Sequence, residues 1–456
     1  MNPPRVAVVG AGITGLALAH RLSSRARAEG RALALTVFDA GTTPGGHART
    51  TREHGYVVEA GPNGFLDRLP GPLALARELG LEAELIEASP ASKRRFIVRG
   101  GRLRRVPDSP ATFLTSDALS PLGKARLLLE PWASGPPAHE ETVHEFSTRR
   151  IGLEAADMLV DAAVSGISAG DSRVLSLPAA FPLMAEMEQD HGSLLKAMFA
   201  RRKQGLGPPR LFTLRGGMGD LAHAAARALG PSLQLGTPVV GLARGGEGWR
   251  LALEGGTHWD ADEVLLALPA KGAARVTSGL DPTLSAALEA TPFSSVAVVA
   301  LAFRTSDLPR PLAGYGYLVT QAEGMATLGV VWESTLFEGR APAGHVLVRA
   351  ILGGPRQPDV AERTPEETTL LARREFTAIM GVTAEPAHAW TFRWPGAIAQ
   401  YTRGHVTRRE QARALLTRHP GLALVGTSYD GVSFGSAIEA GRAEADRVFA
   451  RMDARS

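Results

Sequence analysis

Cysteine is absent from the 456-residue chain. This absence excludes disulfides, thiolate zinc sites, iron–sulfur ligation, a cysteine nucleophile and a cysteinyl-flavin bond. A reducing compartment suits such a composition, and we therefore expect a cytoplasmic protein.

Lysine is scarce as well. Only five of the 50 basic residues are lysines, and the other 45 are arginines, which hardly titrate. This explains how a formal net charge of only +4 coexists with an isoelectric point near 9.6. The high value is no sign of nucleic-acid binding, which would need a clustered basic patch, so no nucleic-acid partner is expected.

Long hydrophobic runs are also missing. The longest apolar stretch, residues 293–303, has the length of a core strand, and no membrane-spanning segment is predicted. The length and the 44% hydrophobic content predict a soluble protein of two or three domains.

What is present begins with the pattern of a βαβ unit. Residues 5–9 predict a buried strand, 14–30 a helix rich in Ala and Leu, and 33–39 a second strand. A glycine-rich turn, residues 10–15, separates the first strand from the helix. This order is typical of folds that bind dinucleotides.

Three glycines in that turn, Gly10, Gly12 and Gly15, satisfy the GxGxxG spacing. The first permits the tight turn, the second lets the backbone approach a pyrophosphate, and the third lets the helix pack on the strand. Asp39 ends the second strand, where a carboxylate can accept both ribose hydroxyls. A plain glycine turn followed by a capping Asp39 is the alternative interpretation.

The end of the chain shows the same order of strand, glycine-rich turn and helix. Residues 422–427 predict a strand, and a glycine-rich turn and a helix over 435–451 follow. A nicotinamide-only dehydrogenase would keep its nucleotide site within one continuous half, whereas two such units suggest a cofactor held from both chain ends. The pattern favours FAD over NAD.

Between the ends, the character of the chain changes twice. Residues 72–205 are mostly helical by pattern, 212–270 alternate as strands with glycine turns, and 293–355 are rich in strands.

Several motifs occur in the order typical of one family. They are Gly45–Gly46, GPNGF at 61–65, KRRF at 93–96, SGISAGD at 165–171, FRWPGAIAQYTRGH at 392–405 and GTSYDGVSFGSAI at 426–438. In these motifs, and over nearly its whole length, the chain resembles the flavin amine oxidase and protoporphyrinogen oxidase superfamily. Two motifs differ from the family pattern, at Thr43, where arginine is usual, and at residues 434–437.

The resemblance implies a mixed α/β (α+β) protein of p-hydroxybenzoate-hydroxylase-like architecture. It would combine a Rossmann FAD-binding domain with a substrate-binding β-sheet domain and a helical, membrane-associated domain. The implied domain segments are 1–71, 212–270 and 392–456 for FAD, 72–92 and 271–391 for substrate, and 93–211 for the helical domain.

The resemblance also implies an activity. It is the oxidation of protoporphyrinogen IX to protoporphyrin IX in three two-electron steps, with non-covalent FAD and O2, releasing H2O2 in haem biosynthesis. The flavin carries the redox chemistry, so no acid–base pair is required, and the sequence offers none. The expected partners are the porphyrinogen and O2, and a homodimer is compatible with the family.

Five residues are implied to bind the substrate: Asn63, Arg95, Gly166, Leu328 and Ile351. Arg95 would hold a propionate through its planar fork, and Asn63 would face it across one porphyrinogen pocket. Each has a simpler alternative. The basic run around Arg95 could be solvated surface, Asn63 and Gly166 could be turn residues, and the two apolar residues could be core.

A larger set is implied to bind the cofactor. Its members are Gly10, Ala11, Gly12, Ile13, Thr14, Gly15, Asp39, Ala40, Gly45, Gly46, His47, Gly61, Pro62, Asn63, Gly64, Val239, Trp394, Val432, Ser433 and Phe434. Val239 would meet adenine through its backbone, and the positive end of the helix that begins at Val432–Phe434 would favour negative charge on the flavin. Core packing is the alternative for Trp394, and His47 is interpreted as a polar lining residue.

Residues 99–132 interleave basic and apolar side chains. Such a segment could rest on the anionic cytoplasmic face of the inner membrane, or it could be an ordinary helical surface rich in arginine.

Three other functions remain open. A coproporphyrinogen III oxidase would hold four propionates and need more cations than Arg95. An amine oxidase would want an aromatic cage and usually a lysine at the flavin, for which Lys271 is almost the only late-chain candidate. A non-catalytic flavoprotein or porphyrin carrier is motivated by Thr43 and the altered 434–437 block.

Overall fold

The computed structural model describes residues 3–204, 207–246 and 248–453. Residues 1, 2, 205, 206, 247 and 454–456, which fall within the expected domain segments, lie outside this description. Among the described residues, the strands are β1 (Arg5–Val9), β2 (Ala34–Phe38), β3 (Thr50–Glu53), β4 (Tyr56–Glu59), β5 (Phe65–Leu66), β6 (Leu85–Glu87), β7 (Arg95–Arg99), β8 (Arg102–Arg105), β9 (Leu211–Leu214), β10 (Leu233–Gln234), β11 (Val239–Gly245), β12 (Gly248–Leu253), β13 (His258–Ala261), β14 (Glu263–Leu266), β15 (Phe293–Arg304), β16 (Gly316–Val319), β17 (Thr327–Val331), β18 (His345–Gly353), β19 (His388–Ala399) and β20 (Leu422–Leu424).

The α-helices in the same ranges are α1 (Ile13–Ala28), α2 (Gly71–Glu78), α3 (Pro110–Thr115), α4 (Pro121–Leu128), α5 (Val143–Ile151), α6 (Leu153–Ala155), α7 (Asp161–Ser168), α8 (Leu177–Ala180), α9 (Pro182–His191), α10 (Leu194–Lys203), α11 (Gly219–Leu229), α12 (Ala270–Thr277), α13 (Pro282–Glu289), α14 (Glu333–Leu336), α15 (Pro365–Met380), α16 (His405–Leu416) and α17 (Phe434–Asp453).

A parallel sheet is built from distant parts of the chain. Within the described ranges its order is β10-β2-β1-β14-β20, and every neighbouring pair is parallel. Its strands come from the segments 1–71, 212–270 and 392–456 that the sequence analysis assigns to the FAD domain. The topology is therefore compatible with this discontinuous domain, whose bounds stay a prediction.

Helices α1 and α17 pack closely on each other beside this sheet. Their apolar side chains form one core cluster, in which Leu16, Leu18 and Ile438 are fully buried. Gly441 of α17 lies directly on the Thr14 carbonyl, where an added Cβ would overlap the oxygen. The two chain ends are thus joined at the start of α1.

A second sheet has the described order β19-β15-β18-β17-β16-β7-β8. Helix α15 packs on it, and Phe303 of β15 stacks with Phe376 of α15 at 5.7 Å between ring centres. Strands β7 and β8 belong to this sheet although the mostly helical pattern of 72–205 did not predict them, and β19 begins before the expected boundary at 392. The sequence pattern does not predict β7 because only Ile97 and Val98 are buried and an arginine occupies each end of the strand.

The segment from α3 to α10 is largely helical and is held by buried ion pairs. Arg150 donates to Glu130, and both side chains are 1% exposed. Arg149 forms a two-pronged pair with Glu141 through Nε and Nη2 at 2.8 and 2.6 Å. Paired charges explain how this segment tolerates the buried Arg150 and the half-buried Arg149.

One predicted turn is a helix instead. Gly166 was expected in a turn, but α7 continues through Gly166 to Ser168, and the left-handed residue that ends it is Ala169, with φ of +47°. Gly166 packs on the Leu318 side chain of β16, which an added Cβ would overlap.

None of the helices in the described ranges is both long and apolar enough to cross a membrane.

Candidate functional site

The GxGxxG turn forms an open cradle. Gly10 has φ of +109°, and a Cβ on it would lie 2.5 Å from the Ala267 carbonyl oxygen. A Cβ on Gly15 would overlap the Gly10 carbonyl oxygen, whereas one on Gly12 would meet nothing within 4 Å. Two glycines are therefore required by packing, and the middle one leaves room in front of the backbone for a ligand.

Helix α1 points its N-terminus at this space. Gly12 is its N-cap residue and supplies no side-chain cap. The backbone N–H groups of the first turn, which begins with Ile13 and Thr14, can therefore serve a phosphate and add the positive end of the helix dipole.

The pair Gly45–Gly46 meets the same turn. Gly45 donates its N–H to the Ala11 carbonyl at 2.8 Å and forms a parallel bridge with Gly12. Gly45 has φ of +105°, and a Cβ on Gly46 would lie 3.3 Å from the Gly12 Cα. The two glycine motifs, each expected to bind the cofactor, therefore lie next to each other.

Asp39 is oriented by backbone donors. Its two carboxylate oxygens accept the N–H groups of Ala11 at 2.5 Å and Gly41 at 2.7 Å, and the intervening residue of the Asp39–Gly41 turn, Ala40, is exposed. Each oxygen keeps lone pairs for a ribose hydroxyl. Thr237 donates to the Asp39 carbonyl at 2.8 Å, which brings the start of β11 at Val239 to the same edge.

The N-terminus of α17 is capped by Ser433. The hydroxyl of Ser433, the residue after Val432, accepts the N–H of Ser436 at 3.0 Å. Phe434 stacks on Phe65 with 6.3 Å between ring centres. The open space at Gly12, the N–H groups at the start of α1 and the Asp39 carboxylate together fit a dinucleotide bound along α1.

The turn after β4 connects the cradle to the second sheet. Gly61 lies on the His47 carbonyl, which a Cβ would overlap, and a Cβ on Gly64 would lie 2.6 Å from the Phe212 carbonyl oxygen. Trp394 donates its indole N–H to the Ala60 carbonyl at 2.7 Å, and the His47 ring meets its edge at 4.9 Å. Pro62 and its neighbours are thus held between His47, next to the Gly45–Gly46 pair, and Trp394 of the second sheet.

Asn63 and Arg95 lie on two sides of Tyr315. The Asn63 side chain lies near the Tyr315 hydroxyl, and the Arg95 guanidinium lies 5.4 Å from the centre of the Tyr315 ring. Burial and the Glu333 carboxylate raise the pKa of Tyr315, so its hydroxyl stays protonated. Arg95 is exposed and forms no ion pair with any residue that the structure describes.

Asn63 also contacts a buried ion pair. Its Nδ2 donates to Glu333 Oε1 at 3.1 Å, and the same oxygen accepts Arg349 Nε at 2.7 Å. Arg349 Nη1 donates to the Gly61 carbonyl.

An apolar cluster lies beside these polar groups. It contains Leu328, Ile351 and Trp394 with Ala169, Val296 and Ile398. Leu328 is fully buried, as the core alternative expects, whereas Ile351 and Trp394 are partly exposed. The three predicted residues are therefore together, but only Ile351 and Trp394 present surface to a ligand. Gly166 is exposed one helical turn before Ala169.

Sequence reasoning missed Tyr315, Glu333, Arg349 and Arg49. Arg49 donates to the Gly46 carbonyl at 3.0 Å and lies 5.4 Å from the Trp394 ring centre. A signal existed for Arg349, because a charge inside the apolar run HVLVRAILGG must be paired if the strand is buried. No comparable signal marks Tyr315.

Lys271 is the candidate lysine for an amine oxidase activity. It is exposed on α12, with its ammonium 5.8 Å from the Phe293 ring centre, and has no described contact with the residues above.

The family model for flavin containing amine oxidoreductases matches residues 13–449. The chain belongs to this family, which confirms the predicted flavin cofactor, the mixed α/β architecture and the assignment as an oxidoreductase. Two relatives show where it falls within the family. Coproporphyrinogen III oxidase of Bacillus subtilis is 30% identical over 454 residues, covering 96% of each chain. Protoporphyrinogen oxidase of Homo sapiens is 33% identical over 480 residues, covering 97% of this chain and 98% of the human one.

Solved structures of other proteins have the same fold as this chain. A protein from Exiguobacterium sp. 255-15, provisionally named a protoporphyrinogen oxidase, superposes with a TM-score of 0.84 at 25% identity, covering 98% of this chain and 99% of the other. Cyclohexylamine oxidase from Brevibacterium oxydans IH-35A has a TM-score of 0.73 at 19% identity, with 99% and 100% coverage, and shows the shared fold alone.

Proposed function

We propose that this protein oxidises protoporphyrinogen IX to protoporphyrin IX with non-covalently bound FAD and O2. The names of its relatives support a porphyrinogen substrate. The observation that carries the proposal is the placement of Asn63 and Arg95 on two sides of Tyr315. It connects the turn at the dinucleotide cradle to an arginine that has no ion pair among the described residues.

The residues around the cradle would hold FAD. Gly12 and the first turn of α1 would bind its pyrophosphate, Asp39 its ribose, and Trp394 with the Gly61 turn would border its ring system. When bound, the flavin supplies a two-electron acceptor that O2 can reoxidise.

The remaining residues place the substrate. Arg95 binds a propionate by charge-assisted hydrogen bonds, and Ile351 and Trp394 cover the apolar macrocycle and exclude water. Asn63 offers an amide without adding charge. The reaction removes six hydrogens from the porphyrinogen and reduces three O2 to three H2O2.

An aerobic assay tests the proposal. Purified yellow holoprotein should convert protoporphyrinogen to fluorescent porphyrin faster than autoxidation, with three H2O2 per porphyrin. Porphyrin formation at the autoxidation rate would instead identify a carrier, and H2O2 from benzylamine an amine oxidase.

Coproporphyrinogen III is the second candidate substrate. The Bacillus subtilis relative carries that name, and Lys93 and Arg94 lie exposed beside Arg95, where they could meet further propionates. The ratio of kcat/KM for the two porphyrinogens distinguishes the candidates, and a ratio below one would replace the first.

We also propose a peripheral contact with the cytoplasmic face of the inner membrane. Leu114, Leu122 and Trp132 are exposed in the helical segment, at 75%, 82% and 79%. Exposed apolar side chains grouped near basic ones support such contact, which would give access to a poorly soluble substrate. A homodimer stays a prediction.

A further inference from the structure

A buried ion pair lies under the turn that carries Asn63. Arg349 Nε donates to Glu333 Oε1 at 2.7 Å, and the two side chains are 5% and 1% exposed. Charges are rarely buried this completely without a specific partner and a specific purpose.

The pair contacts both ends of the turn Gly61–Asn63. Arg349 Nη1 donates to the Gly61 carbonyl, and Glu333 Oε1 accepts Asn63 Nδ2 at 3.1 Å. The intervening Pro62 has no backbone N–H to donate. The ion pair therefore links both ends of the turn to the second sheet.

Both charged residues stand on rigid elements. Arg349 lies in the middle of β18, opposite Ala300 of β15 and Val331 of β17. Glu333 begins α14, two residues after β17 ends. A site residue supported in this way keeps one geometry.

The carboxylate also decides which way the Asn63 amide faces. An ionised Glu333 only accepts hydrogen bonds, so the amide nitrogen, and not the oxygen, must point to it. The Asn63 oxygen is consequently turned away from Glu333. A neutral side chain in place of Glu333 would not enforce this orientation.

Stability gives little reason to keep such a pair. Removing water from two charges costs much of what their attraction supplies, and apolar replacement of both is often neutral or stabilising. A role in positioning the turn Gly61–Asn63 explains the pair better than a gain in stability does.

We infer that Glu333 and Arg349 are positioning residues that hold the turn Gly61–Asn63 and thereby fix the Asn63 amide at the meeting of cofactor and substrate. The inference rests on the proposed function and adds two residues that act through Asn63. Because Arg95 is not part of the pair, substrate anchoring should be preserved when the pair is removed.

A double-mutant cycle tests this. The pair variant Glu333→Leu with Arg349→Met removes both charges, so neither is left buried alone. Asn63→Ala and the pair variant should each lower kcat about tenfold with little change in KM, and their combination should be no slower than Asn63→Ala. Multiplied losses, or full activity of either variant, would overturn the inference.

A second readout does not depend on turnover. The visible flavin absorption of the holoproteins should shift equally in Asn63→Ala, the pair variant and their combination. Additive shifts, or no shift at all, contradict positioning. If the wild type lacks porphyrinogen oxidation, the proposed function fails, and the absorption cycle still decides the role of the pair.

A matched control exists in the helical segment. Glu141 and Arg149 form a buried two-pronged pair, with side chains 7% and 15% exposed. Glu141→Leu with Arg149→Met removes two charges of the same kind, and Glu188, which Arg149 also contacts, keeps Arg150 as its partner. It should leave kcat and the flavin absorption unchanged, and a change as large as that of the Glu333–Arg349 variant would assign both effects to general destabilisation.

Discussion

At the scale of single residues, Arg95 gives the most direct test of substrate binding. It is exposed, lies on Tyr315 and forms no ion pair within the described ranges, so its charge is available to a carboxylate. Arg95→Ala should raise KM for protoporphyrinogen about 30-fold, equivalent to about 2 kcal/mol for a charge-assisted pair. Steady-state kinetics check this.

The neighbouring Arg94 supplies the control for Arg95. Arg94 is also exposed, and Arg94→Ala removes the same charge from the adjacent position, immediately before β7 begins. It should change KM for protoporphyrinogen by less than about threefold. Equal effects of the two variants would show general attraction of the substrate and not a propionate contact.

His405 predicts how stability depends on pH. It is 2% exposed, stacks on Tyr401 at 3.9 Å, and neither ring nitrogen has a hydrogen-bond partner among the described residues. Burial, helped by Arg408 and Arg409, lowers its pKa to about 4. Between pH 6.5 and 4 the unfolded chain therefore binds the extra proton, so stability is fully present above pH 6.5 and declines as the pH falls, by on the order of 2 kcal/mol.

Denaturant titrations at pH 7.5 and 5.0 measure this loss. His405→Phe keeps the stack on Tyr401 and cannot be protonated, so the acid loss should shrink. His139→Phe, at an exposed histidine, should retain it. An unchanged acid loss in His405→Phe would assign the sensitivity to other groups.

At the scale of elements, the contact between α1 and α17 is the joint on which the cofactor cradle depends. Gly441 lies on the Thr14 carbonyl, and backbone cannot move aside for a new Cβ. Gly441→Ala should therefore destabilise the protein by on the order of 2 kcal/mol and weaken flavin binding, because α1 shifts. Thermal denaturation and flavin titration measure the two effects.

The same helix offers a matched substitution. A Cβ on Gly435 would meet its nearest neighbour, Pro72, at 3.6 Å, an ordinary contact. Gly435→Ala should leave stability unchanged or raise it by about 0.5 to 1 kcal/mol, since alanine favours the helix. Similar losses at both positions would contradict the close-approach argument.

These elements also show what the sequence could predict. The βαβ unit with its GxGxxG turn was predictable because local backbone geometry requires glycine at Gly10 and Gly15. Strand β7 was not, since it is set by pairing with β16, more than 200 residues away in the chain. Asn63 and Arg95 were predicted on two sides of one pocket, but Tyr315 between them comes from another strand region and carries no local pattern.

At the scale of the whole molecule, the site lies where two sheets meet. The parallel sheet and α1 form the dinucleotide cradle. The second sheet carries Trp394, Ile351 and Arg349, and Glu333 pairs with Arg349 from α14. The turn Gly61–Asn63 connects them. A ligand held by both sheets can be aligned on its cofactor without any catalytic side chain, which agrees with the chemistry proposed here.

The surface of the helical segment predicts how the whole molecule meets a membrane. Leu122 and Trp132 are 82% and 79% exposed, and immersing them in an interface would remove apolar area from water. Leu122→Ser with Trp132→Ser should lower partitioning onto vesicles of phosphatidylglycerol and phosphatidylcholine about tenfold in co-sedimentation, while porphyrinogen turnover in detergent is preserved. Leu370→Ser, at a leucine 63% exposed on α15, should leave partitioning unchanged. Equal losses at both places, or no binding by the wild type, would make the segment an ordinary surface.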